Sequence, residues 1–260
     1  MPAPVSASIA NAQKLCARNG AGRPRRNVSG AVLALGAPGT RVILGAAQKG
    51  KVFMNVFVLS TGRCGTTTFM EACKHITNFT AAHESQSGLV GEAHFDYPKN
   101  HIESDHHLSW FLGRLDRAYG NDALYVHLRR DDATTAASWL KRYYRLGIIR
   151  GYKKDMLWGL GDSGDPLEVC LDYCDTVNSN IELFLRDKTN KMSFRLENAK
   201  EDFRTFWNAT GAKGDLTAAL SEWDVNHNAS PAKWERNPIS WYSTKLTRIV
   251  KHFPSFIETA

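Results

Sequence analysis

The sequence lacks an uninterrupted apolar run of the ~20 residues that a membrane-spanning helix requires. Its most apolar amino-terminal stretch, residues 30–47, is interrupted by Pro38 and Arg41. It also lacks the order of a secretory signal, in which a charged start precedes an apolar run and a cleavage site. The five cysteines are odd in number and form no disulfide framework. We therefore predict no membrane span, reduced thiols and a cytoplasmic location.

Acidic residues are absent from positions 1–51, which carry eight of the 33 basic residues. Residues 52–260 hold the other 25 basic residues and all 26 acidic ones, so the net charge of +7 arises from the amino-terminal segment. The rest of the chain lacks the basic field typical of proteins that bind nucleic acid. We predict no nucleic-acid partner.

The composition of residues 1–51, rich in Ala, Gly, Pro, Ser and Arg, predicts a disordered basic extension, followed by a single domain over 52–260. Two alternatives stay open. An arginine-rich, acid-free segment resembles an organellar transit peptide in composition. The functional protein also has a possible start at Met54, where the first credible strand begins.

From residue 52 onward, apolar runs alternate with helical patterns. Two apolar runs, 51–60 and 123–128, predict parallel strands buried on both faces, and 191–197 predicts a short third strand. Helical spacing of apolar residues and end signals predict helices over 66–75, 104–120, 131–147, 165–186, 203–207 and 216–223, and a last one from about Ser240. This alternation predicts an α/β fold whose parallel sheet is flanked by helices on both faces.

The stretch STGRCGTTTF, residues 60–69, follows the first predicted strand. Gly62 and Gly65 allow backbone N–H groups to face an anion, and the next helix points its positive end at the same place. A triphosphate-binding loop would need lysine directly after the second glycine, but Thr66 stands there and Arg63 lies earlier. The pattern indicates an anion site without triphosphate chemistry. The alternative is an ordinary strand–helix turn with an incidental arginine.

A second basic stretch follows the second predicted strand. Arg129 and Arg130 end that strand, and Ser138 lies eight residues beyond Arg130 in the next helix. Because ligands of parallel α/β sheets bind beyond the carboxyl ends of the strands, Arg130 and Ser138 can face an anion beside the first loop. The alternative is an exposed basic pair and an unrelated helix serine.

Together the two stretches resemble the sulfotransferase family, strongly over 53–80 and 122–145. The first is similar to the family's 5′-phosphosulfate loop, with Arg63, Cys64, Gly65, Thr66 and Thr67 in matching order. The second is similar to its 3′-phosphate motif, with Arg130 and Ser138 in matching positions. The sequence departs from the family pattern in having Cys64 for the usual serine, Asp132 for the usual proline, and no clear carboxy-terminal Arg-Lys-Gly loop.

The resemblance implies a three-layer architecture like that of P-loop nucleoside triphosphatases. It implies a sulfotransferase that uses 3′-phosphoadenosine 5′-phosphosulfate as donor and needs no metal. The acceptor would be a hydroxyl or amine of a small molecule, carbohydrate or lipid. The implied donor-binding residues are Arg63, Cys64, Gly65, Thr66, Thr67, Arg130 and Ser138, with Arg63 also stabilising the leaving phosphate.

Family members use a glutamate or a histidine after the first helix as the general base. Glu84 is our first candidate, because its distance from the loop resembles that in members with a glutamate base. The neighbouring His83 is the second candidate, and His94 is the third. We expect the acceptor cleft to be built from residues 83–107 and 145–165, where the pattern is least regular.

Six of the nine histidines fall between His75 and His107. A metal site at GEAHFD (91–96) or at His106 and His107 is conceivable, but no H-x₃-H or H-E-x-x-H pattern occurs. We predict no metal. Four tryptophans are candidates to stack on adenine or a sugar, although their helical spacing favours core packing for most of them: Trp110, Trp139, Trp158 and Trp223.

Two other functions stay open. One is a nucleotide-dependent kinase or nucleoside triphosphatase with a degenerate phosphate loop, which would need the missing lysine and a metal-binding carboxylate. The other is a non-catalytic nucleotide-binding protein that keeps both anion sites and tolerates loss of Glu84.

Overall fold

A computed structural model of the chain describes residues 42–43, 55–145, 147–160 and 164–227. The strands are β1 (Val42–Ile43), β2 (Asn55–Leu59), β3 (Thr80–His83), β4 (His101–Ser104), β5 (Ala123–Arg129) and β6 (Lys191–Arg195). The α-helices are α1 (Thr66–Cys73), α2 (Leu112–Tyr119), α3 (Asp132–Leu140), α4 (Ile148–Gly151), α5 (Pro166–Leu185), α6 (Ala199–Thr210) and α7 (Leu216–Ser221). A π-helical turn over Tyr152–Met156 follows α4.

The six strands form one sheet in the order β1-β6-β5-β2-β4-β3. All pairings from β6 to β3 are parallel, and only the two-residue edge strand β1 pairs antiparallel. Helices pack on both faces, so the predicted α/β class and three-layer architecture are confirmed. Val42–Ile43 lie within the segment predicted as a disordered extension and pair instead with β6. The rest of 1–51 and the helix predicted near Ser240 lie outside the described residues.

The central strands explain why both faces carry a core. Successive side chains of a strand point to opposite faces, so a strand apolar at every position requires cover on both sides. Phe57 and Tyr125 belong to the core under α3 and α5. Val58 and Val126 belong to the core under α1, α6 and α7. All four of these side chains are fully buried.

Two predicted helices are shorter in the structure. The segment 104–120 divides at Phe111 into a 3₁₀ helix (His106–Trp110) and α2. Asp105 caps the 3₁₀ helix by accepting from the backbone N–H of His107 at 2.7 Å, and Gly120 ends α2. The segment 131–147 is helical only over α3, and hydrogen-bonded turns continue to residue 145. None of the helices in the described part of the chain combines the length and apolar composition that crossing a membrane requires.

Candidate active site

The backbone after β2 turns through three left-handed residues. Gly62 has φ +73°, Arg63 has φ +60° and Gly65 has φ +92°. The Gly62 N–H donates to the Ser60 hydroxyl at 3.0 Å, and the Gly65 carbonyl accepts the first helical bond of α1 from Phe69 at 2.9 Å. A Cβ on Gly65 would lie 2.7 Å from a methyl carbon of Leu196. The two glycines therefore allow a turn that leads directly into the positive end of an eight-residue helix.

The Cys64 side chain points into the protein rather than towards the loop's open side. It is 2% exposed, and its thiol donates to the Gly62 carbonyl at 3.2 Å. It also lies 3.0 Å from the Thr61 hydroxyl. Burial raises the pKa of the Cys64 thiol, so the group stays protonated at neutral pH. The backbone N–H is therefore the only group of Cys64 that can face an anion at the loop.

The two arginines at the end of β5 face different neighbours, as the alternation of side chains along a strand requires. Arg129 donates to Glu182 at 2.5 Å and contacts Asp132 at 3.4 Å. Arg130 is half-buried beside the first loop. Asp132, where the family usually has proline, also accepts from Asn178 on α5 at 3.0 Å. Through its contacts with Arg129 and Asn178, Asp132 at the start of α3 therefore links β5 and α5.

A hydrogen bond joins the two predicted anion sites. The Nε of Arg63 donates to the Oγ of Ser138 at 3.1 Å, across 75 positions of sequence. The pKa of Arg63 is lowered by burial and then by the nearby charges of Arg142 and Arg130. Several cationic groups therefore converge at the carboxyl ends of β2 and β5.

These residues border a cavity of about 550 Å³, here named the first cavity. Its lining comprises Arg63, Gly65, Thr66, Thr67, Thr68, Arg130, Thr134, Ala137, Ser138, Lys141, Leu196, Trp223, Asp224, Val225 and Asn226. All the predicted donor-binding residues line it except Cys64. Lys141, one helical turn beyond Ala137, is a lining cation that the sequence analysis did not identify.

A second cavity, of about 390 Å³, adjoins the first and shares Arg63, Thr66 and Thr67 with it. Its lining comprises Gly62, Arg63, Thr66, Thr67, His83, Glu84, His106, His107, Trp139, Arg142, Arg145, Gly147, Ile148 and Ile149. Both leading base candidates, Glu84 and His83, therefore lie on the far side of the loop residues from Arg130. The predicted acceptor segments 83–107 and 145–165 each contribute part of the lining.

Glu84 is a half-buried residue directly after β3, with the left-handed φ of +54° that is uncommon for a residue other than glycine. Its Oε1 lies 2.9 Å from the Nδ1 of His106. The hydrogen bond with His106 is the main reason that the pKa of Glu84 is lowered, against the opposing effect of burial. Glu84 is therefore a carboxylate at neutral pH.

A buried carboxylate holds the backbone beside Glu84. Glu103 on β4 is fully buried and accepts from the Ser85 N–H at 2.9 Å and from the Ser85 hydroxyl at 2.5 Å. His101 lies 3.0 Å from the same carboxylate and 2.8 Å from the Thr80 hydroxyl through its other ring nitrogen. Because β3 and β4 are paired strands, this hydrogen-bond network fixes the position of Glu84, which directly precedes Ser85.

The other base candidates lie in different surroundings. His83 is half-buried, and its Nε2 lies 3.3 Å from the Thr66 hydroxyl, so it contacts the loop directly. His94 is 5% exposed, packs against Phe95 and Phe111, and bonds to the Leu89 carbonyl. It lines neither cavity, so the structure does not bring this third candidate to the site.

Four side chains next to the second cavity have the donor types that metal ions use. The ligand atoms of Glu84, Asp105, His106 and His107 all lie within 4.8 Å of one another. They also form two internal pairs, Glu84 with His106 at 2.9 Å and Asp105 with His107 at 2.8 Å. The bond to Asp105 raises the pKa of His107. The absence of a metal stays a prediction.

The candidate tryptophans differ in how exposed they are and in whether they line a cavity. Trp139 is 8% exposed and lines the second cavity beside Gly62 and His106. Trp223 lines the first cavity while its ring also packs on Phe194. Trp158 is 90% exposed. Arg142 and Arg145 also line the second cavity. The sequence analysis did not identify either arginine individually because no motif surrounds them, although Arg145 begins the predicted acceptor segment 145–165.

Comparison with protein-family models finds no match, and comparison with curated proteins finds none either. Among solved structures, the chain is similar to mouse sulfotransferase SULT7A1 complexed with PAP. The two share 14% sequence identity, and the TM-score is 0.47 over 84% of this chain and 93% of that chain. This similarity is too weak to assign a family or an activity, so the functional interpretation depends on the residues of the two cavities.

Proposed function

We propose that this protein is a sulfotransferase that moves a sulfuryl group from 3′-phosphoadenosine 5′-phosphosulfate to a hydroxyl or amine acceptor. The observation that carries the proposal is the hydrogen bond between Arg63 and Ser138 at 3.1 Å. It joins the two motif-bearing stretches in the first cavity, and Arg63 also lines the second cavity, where Glu84 lies.

The residues of the first cavity fit a ligand with two separated anionic groups. The loop at Arg63 and Gly65 and the amino-terminal end of α1 offer N–H donors to one group. Arg130 and Ser138, on β5 and α3, offer a guanidinium and a hydroxyl to the other. The proposed donor, 3′-phosphoadenosine 5′-phosphosulfate, has two such groups. Its sulfuryl group is attached to the 5′-phosphate, which is the leaving group of the transfer.

The second cavity supplies the groups that transfer needs. Glu84 accepts the proton of the acceptor hydroxyl or amine as the new sulfur–oxygen or sulfur–nitrogen bond forms. Arg63 and the loop N–H groups stabilise the negative charge on the phosphate oxygen when its bond to sulfur breaks. Because Arg63, Thr66 and Thr67 border both cavities, they lie where the reacting groups must meet.

Kinase or triphosphatase chemistry has less support. Thr66 occupies the position where triphosphate-binding loops have lysine. Among the described residues that line the first cavity, the only carboxylate is Asp224, which pairs with Lys200 at 2.7 Å.

A ligand panel tests the proposal. Thermal unfolding is measured with 3′,5′-bisphosphoadenosine, 5′-AMP and ATP–Mg²⁺, each at the same concentration. We expect the bisphosphate to stabilise the protein most, by ~2.7 kcal/mol at a hundred times its Kd. A larger effect of ATP–Mg²⁺ would favour the kinase hypothesis. Bisphosphate binding without any sulfate transfer would favour a non-catalytic nucleotide-binding protein.

The two arginines after β5 supply a matched pair of variants. We expect Arg130→Ala to abolish the preference for the 3′-phosphate over 5′-AMP. Arg129→Ala removes the same charge one residue away, but its partners are Glu182 and Asp132 outside the first cavity. It should keep the preference. Equal preference in both variants, or none in the unmodified protein, would overturn the proposed function.

A further inference from the structure

Two neighbouring strands bring a group of side chains together at their carboxyl ends, named here the His–carboxylate cluster: Glu84, Asp105, His106 and His107. The parallel pairing of β3 with β4 matches His83 to Ser104, and the Glu84 N–H donates to the Ser104 carbonyl at 3.3 Å. The next residue of each chain segment, Glu84 in one and Asp105 in the other, therefore leaves the sheet at the same edge. Strand register thus places the cluster.

The backbone on both sides of the cluster is fixed by hydrogen bonds. Asp105 caps the 3₁₀ helix that carries both histidines, and its Oδ1 lies 2.8 Å from the Nδ1 of His107. The ring centroids of His106 and His107 are 4.0 Å apart. Four ligands at about 2.1 Å from a tetrahedral ion lie about 3.4 Å from one another. Because the ligand atoms of the cluster already lie within 4.8 Å of one another, small side-chain movements would surround one ion.

A buried oxygen of Asp105 gives independent evidence that a cation binds here. The residue is 0% exposed, and its Oδ2 has no hydrogen-bond partner among the described residues. A buried carboxylate oxygen without a partner destabilises the folded state. A metal ion held by Oδ2 would remove this cost while Oδ1 continues to cap the helix.

The donor types indicate which ion the cluster would select. Mg²⁺ and Ca²⁺ prefer sites made of oxygen ligands alone. Two imidazoles combined with two carboxylates suit Zn²⁺ and similar transition-metal ions, and the two carboxylates balance the charge of a divalent ion. The sequence patterns H-x₃-H and H-E-x-x-H describe ligands on one helix, so they do not detect a site whose ligands follow two strands.

We propose that the His–carboxylate cluster binds Zn²⁺ and that the bound ion inhibits sulfate transfer. The ion would occupy the carboxylate lone pairs with which Glu84 accepts the proton of the acceptor. The proposed reaction has no step that uses a metal, so Zn²⁺ acts as an inhibitor and the metal-free protein is the active form. The inhibition rests on the proposed function, whereas Zn²⁺ binding is measurable without transfer.

Metal binding is measured on the full chain without nucleotide. Calorimetry follows the binding of Zn²⁺, and the visible absorption of Co²⁺, added in its place, reports direct coordination by protein ligands. We expect one Zn²⁺ at the cluster, and Mg²⁺ or Ca²⁺ at the same concentration should not displace it. Added Zn²⁺ should also reduce turnover at saturating donor, and EDTA should restore the turnover of the metal-free protein.

Variants locate the binding. Asp105→Asn keeps an oxygen to cap the helix but removes the charge, so we expect Zn²⁺ affinity and inhibition to weaken at least about tenfold. If this variant does not fold, His107→Gln tests the same site. Glu222→Gln is the matched control, because Glu222 also contacts two histidines, His75 at 3.0 Å and His227 at 2.8 Å, but lines neither cavity. It should leave Zn²⁺ binding unchanged.

Three results would overturn the inference. Absence of Zn²⁺ binding, or binding that survives in both Asp105→Asn and His107→Gln, would show that the cluster is not a metal site. Binding of Zn²⁺ without loss of turnover would exclude its role as an inhibitor. Failure to find sulfate transfer to any acceptor would instead count against the proposed function, and calorimetry and Co²⁺ absorption would still decide whether the cluster binds metal.

Discussion

The two cavities differ in how their residues are distributed along the chain. The first takes most of its polar lining from two continuous stretches, 63–68 and 130–141. The second combines short pieces after β2, β3, β4 and α3. A site drawn from continuous stretches leaves a motif in the sequence, whereas a site assembled from scattered pieces does not. If the two cavities also differ in function, substitutions in the first should change ligand binding and substitutions in the second should change proton transfer.

The largest expected effect is that of Glu84→Gln. The amide cannot accept the acceptor's proton, so turnover should fall by about 10²–10⁴-fold, the usual contribution of a general base. The Kd for 3′,5′-bisphosphoadenosine should stay within about twofold, because Glu84 does not line the first cavity. Sulfate transfer from radiolabelled donor to a panel of hydroxyl- and amine-bearing acceptors measures turnover, and calorimetry measures the Kd.

Glu201→Gln on α6 is the control for this variant, and it should behave like the unmodified protein. EDTA should not change turnover, in line with the predicted absence of a metal. If Glu84→Gln keeps its activity and His83→Gln loses it, His83 is the base.

The pH dependence of turnover separates the two base candidates further. A glutamate base is active as the carboxylate, and hydrogen bonding with His106 lowers the pKa of Glu84. Activity should therefore persist as the pH falls and be lost only below the usual glutamate range, about pH 4.3. A marked loss of turnover between pH 7 and pH 5.5 would contradict a glutamate base. Turnover at saturating donor, measured from pH 5 to 8, shows which profile applies.

Gly65→Ala tests the first cavity through its backbone. Alanine is strained at φ +92°, and its Cβ would meet the side chain of Leu196. We expect the free energy of unfolding to fall by about 1–3 kcal/mol and the affinity for 3′,5′-bisphosphoadenosine to fall with it. Urea denaturation and calorimetry measure the two effects.

Gly113→Ala is the matched control, since Gly113 lies within α2 and a Cβ there meets no atom within 4 Å. It should raise the free energy of unfolding by about 0.5–1 kcal/mol. Equal effects of the two substitutions would show that the loop does not need a left-handed glycine.

The smallest expected effect is that of Cys64→Ser, which introduces the residue that the sulfotransferase motif usually has. Because the Cys64 side chain is buried against Thr61, a hydroxyl there should not reach the ligand. The Kd for 3′,5′-bisphosphoadenosine should change less than about twofold. A tenfold gain in affinity would contradict this, since it would mean that the side chain at position 64 contacts the ligand.

The sequence alone indicated the central elements of the fold. The β2 and β5 strands were predicted because both are apolar at nearly every position, and α5 because its apolar residues recur at helical spacing over about twenty residues. The β3 and β4 strands were not predicted. Each has four residues, and their sequences TAAH and HIES have neither an apolar run nor clear alternation. Their pairing with β2 and with each other decides their structure.

For the site, local chemistry in the sequence determined the anion loop, because two glycines, an arginine and the start of a helix lie within a few residues of one another. Only the tertiary structure decided that Cys64 is buried and that Arg63 bonds to Ser138. The pairing of Glu84 with His106 and the grouping of three arginines in one cavity were decided there too. The residues of the second cavity come from strands and turns that are far apart in the chain. The order of the strands in the sheet brings these residues together.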